Sequence, residues 1–295
     1  MPFRCWLSII GYNYFIIVQC RALSNVSNIA FFMPIKYTKI VANVKKSWNI
    51  IAEHYNRKYE ISCDNIHYGP LCPGEAKLSL LGDMKGLRVI DLGCGGGQNA
   101  VALSKMGAEV TAIDFSGKQI KQAELLAKLN NVDIDFQVSD IESLSSFESQ
   151  SFDIAISACA ISFVKNIKRA FKGVHRILKS SAIFALSDMN PLQYILDETD
   201  DGVMFNTPYP QKPLLLKWSW EFEAIKRSPG FQHYVRPISA YHNSLVDAGF
   251  MVRKMLEPKS TMNTPHKGFS KEIIDEYGYI AKNIPITFIL LCQKP

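Results

Sequence analysis

The chain of 295 residues has no Cys-x-x-Cys pair; its seven cysteines stand apart at 5, 20, 63, 72, 94, 159 and 292. That scatter excludes a disulfide framework or a zinc site and fits a reducing compartment, so a cytoplasmic protein is expected. The six histidines are equally dispersed, with no His-Glu-x-x-His spacing, and no structural metal is expected. There are no internal repeats and no low-complexity tracts. A basic stripe in the body of the chain is also missing. Residues 1–60 hold eight Lys/Arg against two Asp/Glu, whereas residues 61–295 hold 25 of each, so the net charge of +6 belongs to the N-terminal end. A nucleic-acid enzyme would carry its cations around the active-site mouth, and no nucleic-acid partner is expected.

Long apolar runs are scarce too. Trp6 to Val18 is a mostly apolar stretch of 13 residues between Arg4 and Arg21, too short to cross a bilayer, which needs about 20. Residues 1–32 therefore read as an extension outside the fold. An over-extended start comes first, because Met33-Pro34 offers a second one. An interfacial or membrane anchor is the next reading, with membrane contact only if residues 6–18 are present and exposed. A cleaved signal comes last, because Val18-Gln19-Cys20 is a poor cleavage site.

What is present is concentrated between Arg88 and Ala100, RVIDLGCGGGQNA. A short apolar run ends in Asp91, glycines follow at 93, 95, 96 and 97, and a helix-forming segment begins. Such a strand, bare turn and helix N-terminus lets a ligand approach backbone N–H groups directly. The dinucleotide pattern Gly-x-Gly-x-x-Gly, begun at Gly93, would need a third glycine where Gln98 stands. The spacing is instead Asp91-x-Gly93-x-Gly95-x-Gly97. It resembles motif I of the class I S-adenosylmethionine-dependent methyltransferases, small-molecule type, in which this loop wraps the methionine end of the cofactor.

The remaining elements follow in the order that resemblance implies, best over residues 48–190. Glu109 to Asp114 is a second strand ending in a carboxylate, suited to two ribose hydroxyls. Phe115 would lie beside the adenine, and Ser116 caps a helix to Asn130. Ile134 to Val138 is a third strand leading to Asp140 and Ile141, which in the family meet the adenine amino group and ring. Phe152 to Ser157 is a fourth, followed by Ala158, whose small side chain leaves space at the sheet's carboxyl end. A helix over 167–178 and a turn at Lys179-Ser180-Ser181 precede a fifth strand, Ala182 to Ser187. The resemblance thus implies S-adenosylmethionine as cofactor, bound by Asp91, Gly93, Cys94, Gly95, Gly97, Asp114, Phe115, Asp140, Ile141 and Ala158.

The expected fold is α/β, a seven-stranded, mostly parallel doubly wound sheet of order 3-2-1-4-5-7-6 with strand seven antiparallel. The methyltransferase domain would cover 33–295. Within it, a helical cap spans 38–85, with apolar positions at helical spacing from Ile40 to Tyr55 and a short helix over Ala76–Leu81. The cofactor core spans 86–190, and a lid or substrate insert rich in aromatics and prolines spans 191–235. Over 236–295 a helix at Ile238–Ala248 ends at Gly249, and strands follow at Phe250–Leu256 and Thr287–Cys292. The insert's aromatics could form an apolar pocket or simply a subdomain core. Its acidic run Asp197 to Asp201 could attract an amine or be solvated surface. His67, Tyr68 and His233 are candidate acceptor contacts, each read more readily as structural, and no catalytic residue is assigned. Nucleic-acid amino- and cytosine-carbon methyltransferase signatures are missing after strand four, where Ser157-Ala158-Cys159-Ala160 stands, and Cys159 reads as a small buried residue. The acceptor is therefore expected to be a small molecule, methylated on O or N. A nicotinamide oxidoreductase and a non-catalytic cofactor-binding module remain the alternatives.

Overall fold

The computed structural model describes residues 43–199, 202–219, 225, 229–261 and 280–295. At its centre is a seven-stranded sheet: β1 (Arg88–Leu92), β2 (Glu109–Asp114), β3 (Asp135–Val138), β4 (Phe152–Ala158), β5 (Leu178–Met189), β10 (Met251–Leu256) and β11 (Thr287–Gln293). Its order is β10-β11-β5-β4-β1-β2-β3. Strands β1 to β5 pair in parallel, while β11 runs antiparallel to both β5 and β10. This is the expected 3-2-1-4-5-7-6 order.

Strands covered on both faces read as near-continuous apolar runs, and here alternate residues feed two separate cores. Ile90, Leu92, Phe288 and Leu290 face helix α5 (Ile167–Ile177) and helix α6 (Ile238–Asp247). Val89, Ile154, Ile156, Ile289 and Leu291 face the opposite layer, which includes helix α3 (Gln98–Lys105) and Ile120 of helix α4 (Gly117–Leu129). Helix α5 shows why it docks: Ile167, Ala170, Phe171, Val174 and Ile177 are all buried and recur at the spacing of one helical face. The Asn166 side chain starts it by accepting from the Arg169 N–H at 3.0 Å.

Three local expectations need correction. Lys179-Ser180-Ser181 is no separate turn, because β5 begins at Leu178, directly after α5. The three belong to a four-residue bulge, Lys179 to Ala182, between the pairs Phe152–Leu178 and Ile154–Ile183, and Ser181 takes up the kink at φ 64°. The short helix over 76–81 is only Glu75–Leu78, helix α2. The buried Glu75 carboxylate accepts from the N–H groups of Leu80 and Leu81 at 3.1 and 2.7 Å, pulling the chain out of the helix. The N-terminal helix α1 is Val44–Tyr59; the part of that expectation before residue 43, like residues 1–32, lies outside the described residues.

The insert after β5 consists of two hairpins, β6 (Leu196–Thr199) with β7 (Gly202–Phe205) and β8 (Leu214–Ser219) with β9 (Gly230–Val235). Among the described residues its aromatics do not gather in one place. Phe205 is 73% exposed and Phe231 fully buried, and Trp220 and Phe222 lie outside the described residues. Asp197 is exposed and accepts from the Asn206 amide at 2.8 Å, whereas Asp200 and Asp201 lie outside the described residues. Among the described residues, no helix is long and apolar enough to cross a membrane.

Helices α3 and α4 meet where Gly97 caps α3 at φ 85°. A Cβ built there would stand 2.7 Å from the Ala123 Cβ and 3.0 Å from its Cα. Both the positive φ and this backbone contact resist a side chain. Gly97→Ala is expected to lower unfolding free energy by roughly 1–3 kcal/mol, read as a lower urea midpoint with an unchanged slope. An unchanged midpoint would contradict this packing.

Candidate active site

In an open α/β sheet, ligands lie beyond the carboxyl ends of the strands where the chain reverses direction of winding. Here that point is β1, paired with β2 on one side and β4 on the other. The turn after β1 is held against β2, because the Gly93 and Cys94 N–H groups both donate to the Ile113 carbonyl, at 2.8 and 2.9 Å. A Cβ on Gly93 would stand 2.4 Å from that of Ala160, so only glycine lets the loop lie this close to the end of β4.

A cavity of about 330 Å³ opens above this turn, within the size range of small-molecule sites. Nine of the ten expected cofactor contacts line it: Asp91, Gly93, Cys94, Gly95, Asp114, Phe115, Asp140, Ile141 and Ala158. Gly97 is not on the lining and packs on α4 as described above. His67 also lines the cavity. Its backbone is pinned by the Asn99 side chain of α3, whose carbonyl oxygen accepts from the His67 N–H and whose amide donates to its C=O, both at 2.9 Å.

The other two candidate acceptor contacts are placed elsewhere. The Tyr68 hydroxyl is buried and donates to Glu75 at 2.6 Å, and burial followed by that carboxylate holds it protonated far above its ordinary value. The His233 ring is buried beneath the cavity wall, between Tyr194 at 4.8 Å and Phe163 at 6.2 Å. Burial, then the Arg236 charge, pushes its pKa down to about 4, so it stays neutral. Cys159, expected as a small buried residue, is half-buried and lines the cavity. Burial and then Asp188 raise its thiol well above the ordinary value, which removes it as a thiolate nucleophile.

Two carboxylates dominate the electrostatics. Asp114 is 6% exposed and accepts from the Ser116 N–H at 2.8 Å and the Gly95 N–H at 3.1 Å. Asp91 is 2% exposed, and its Oδ2 has no hydrogen-bond partner among the described residues. Burial, then the neighbouring Asp114, pushes Asp91 up to about 7. Burial pushes Asp114 up to about 6 against the pull of its two amide donors. Asp140, by contrast, is exposed, with its Oδ1 accepting from the Glu142 N–H at 2.9 Å.

The part of the site not anticipated comes from α1. Trp48 and Tyr55 line the cavity with ring centroids 5.1 Å apart, and Trp48 meets Phe163 edge-on at 5.6 Å. The helix is tied down by amides: Asn56 donates to Gln119 and accepts from Gln98, both at 2.9 Å. Asn49 accepts from the Ser116 hydroxyl at 2.9 Å. The two asparagines, seven residues and so two turns apart, are the sequence signal that α1 has a polar docking face beside its apolar stripe.

Comparison with known proteins adds the following. Residues 90–186 match the family model described as a methyltransferase domain. The uncharacterized methyltransferase YbaJ of Bacillus subtilis strain 168 is 29% identical over 181 residues, 60% of this chain and 70% of that protein. A ubiquinone biosynthesis O-methyltransferase of Xanthomonas oryzae pv. oryzae is 32% identical over 108 residues, 37% of this chain and 45% of its own length; the match thus spans less than half of that protein. The crystal structure of an S-adenosylmethionine-dependent methyltransferase from Mesorhizobium loti shares the fold, with a TM-score of 0.56 at 21% identity over 74% of this chain and 96% of that one. Glycine turn, carboxylate-tipped strands, sheet order and family model agree: residues 90–186 form a methyltransferase domain, set in the fold that S-adenosylmethionine-dependent methyltransferases share.

Proposed function

We propose that the chain transfers a methyl group from S-adenosylmethionine to an O or N atom of a small molecule that lies against Trp48, Tyr55 and Phe163. The observation that carries this reading is the unpartnered, buried Asp91 oxygen on a cavity whose other wall is aromatic. A buried carboxylate without a partner is costly, and a cationic ligand removes that cost. Asp91 would face the cofactor's positive end, with Gly93, Cys94 and Gly95 supplying bare backbone. Asp114 would take the ribose hydroxyls, with lone pairs left beyond its two amide bonds. Phe115, Asp140 and Ile141 would flank the base, beside Ala158. Gly97 would act by packing rather than contact.

When bound, the cofactor supplies a methyl group on a positively charged sulfur, already activated for transfer. The residues are then left to align the acceptor and exclude water. Trp48, Tyr55 and Phe163 suit a flat or apolar acceptor, and His67 lines the same cavity. The name of the ubiquinone biosynthesis relative favours oxygen over nitrogen as the acceptor atom. The domain reading remains 33–295, with a helical cap at 38–85, a core at 86–190, an insert at 191–235 and closing strands at 236–295, in the cytoplasm.

Turnover decides between an enzyme and a binding module. Release of S-adenosylhomocysteine over a panel of phenols, hydroxy acids and amines is expected to rise well above the acceptor-free rate for at least one phenol. A cofactor-binding protein with no release across the whole panel would contradict the proposal.

The paired carboxyls also predict proton release. Their pKa values are raised in the free protein, so near pH 6 the pair holds protons that a cationic ligand would expel. Calorimetry of S-adenosylmethionine at pH 6 in two buffers of different ionisation heat should therefore give different apparent enthalpies. The difference should shrink at pH 8.5, above both values, and in Asp91→Asn. Buffer-independent heat at pH 6 would contradict the assignment.

A further inference from the structure

We infer that Arg236, one residue beyond β9 of the insert, is a positioning residue for the cofactor cavity, and that the insert's last strand is a fixed buttress of that cavity. The inference rests on the cofactor reading above. Arg236 is 3% exposed. Its guanidinium donates to three main-chain carbonyls of one short segment: Ile161 at 3.4 Å, Val164 at 2.5 Å and Lys165 at 3.2 Å. It also lies over the Tyr234 ring, 4.6 Å from the centroid.

That segment is the cavity's wall. Ile161–Phe163 is a single 3-10 turn after β4, and Phe163, Val164 and Lys165 all face the cavity. A lone 3-10 turn leaves its last carbonyls without helical partners. A planar guanidinium, with five donors in a fixed fork, can gather several of them at once. The same strand supports the side chain above, because the His233 ring of β9 lies under Phe163. The wall is therefore held twice from the insert, by Arg236 through its backbone and by His233 through its aromatic face.

The buried cation has its counter-charge on the sheet. Asp188, 1% exposed near the end of β5, accepts from the Tyr241 hydroxyl of α6 at 3.2 Å and from the Met189 N–H at 2.8 Å. The Arg236 charge acts on Asp188 and on Tyr241 from nearby. The guanidinium thus binds the cavity wall directly and meets the sheet's carboxylate through charge. A charge buried to this degree is tolerated only with such partners.

The test uses the full chain and S-adenosylhomocysteine, so it does not depend on the acceptor. Removing Arg236 alone would strand Asp188, so the informative variant is Arg236→Met with Asp188→Asn, which leaves neither charge behind. Arg236→Lys keeps the charge without the fork and decides the question should the double variant fail to fold. Folding is checked by cooperative thermal unfolding and affinity by calorimetry. The folded double variant is expected to bind at least about ten-fold more weakly than the parent, and Arg236→Lys at least about three-fold more weakly. Folded variants within two-fold of the parent would overturn the inference, reducing Arg236 to a purely structural residue. Failure of the parent itself to bind would instead overturn the cofactor reading, and this inference with it.

Discussion

Two carboxylates buried side by side at the carboxyl edge of the sheet set the terms for the rest of the structure. Asp91 ends the central strand and Asp114 the strand beside it, and both are nearly inaccessible. Burial raises both pKa values above the carboxylate range, and the Asp114 charge adds to the rise at Asp91. Asp114 is partly compensated by backbone amides of the glycine turn and of the following helix. Asp91 is left with an oxygen unpartnered among the described residues. A binding site that stores such a cost is selective for a ligand bringing positive charge and hydroxyl donors to the same spot. S-adenosylmethionine brings both.

The surroundings read as devices that keep those carboxylates in place and dry. Glycine at 93 lets the turn close on Ala160, while the amides of α1 bind that helix to Gln98 and Gln119 across the opening. On the far side the 3-10 turn after β4 has too little internal hydrogen bonding to stand alone, and Arg236 supplies it. The site is therefore assembled from three parts of the chain distant in sequence: the segment before the core, the core itself and the insert after β5. Only the middle part coincides with the matched methyltransferase domain.

That division explains what could be read from the residues alone. The sheet order and nearly every core element follow from local signals, because apolar runs, carboxylate-tipped strands and a glycine turn are contiguous in sequence. Nine of the ten proposed cofactor contacts fall on the cavity for the same reason. Gly97 lies off the lining, and a glycine packed between helices looks the same in sequence as one that a ligand approaches. Trp48 and Tyr55 read as part of an apolar stripe, since a helix period marks the face but not what it covers. Tyr68 and His233 read as available polar groups, yet Glu75 and the underside of Phe163 claim them. Arg236 carries no local pattern at all; its role comes from carbonyls more than seventy residues away.

The account stands most directly on a calorimetric titration of S-adenosylmethionine into the full chain, with Asp114→Ala as the control. It predicts micromolar binding, one cofactor per chain, lost in the variant while the variant still unfolds cooperatively. A folded parent chain that gives no heat and no thermal shift with the cofactor would contradict it, and the pair of buried carboxylates would need another cation to explain them.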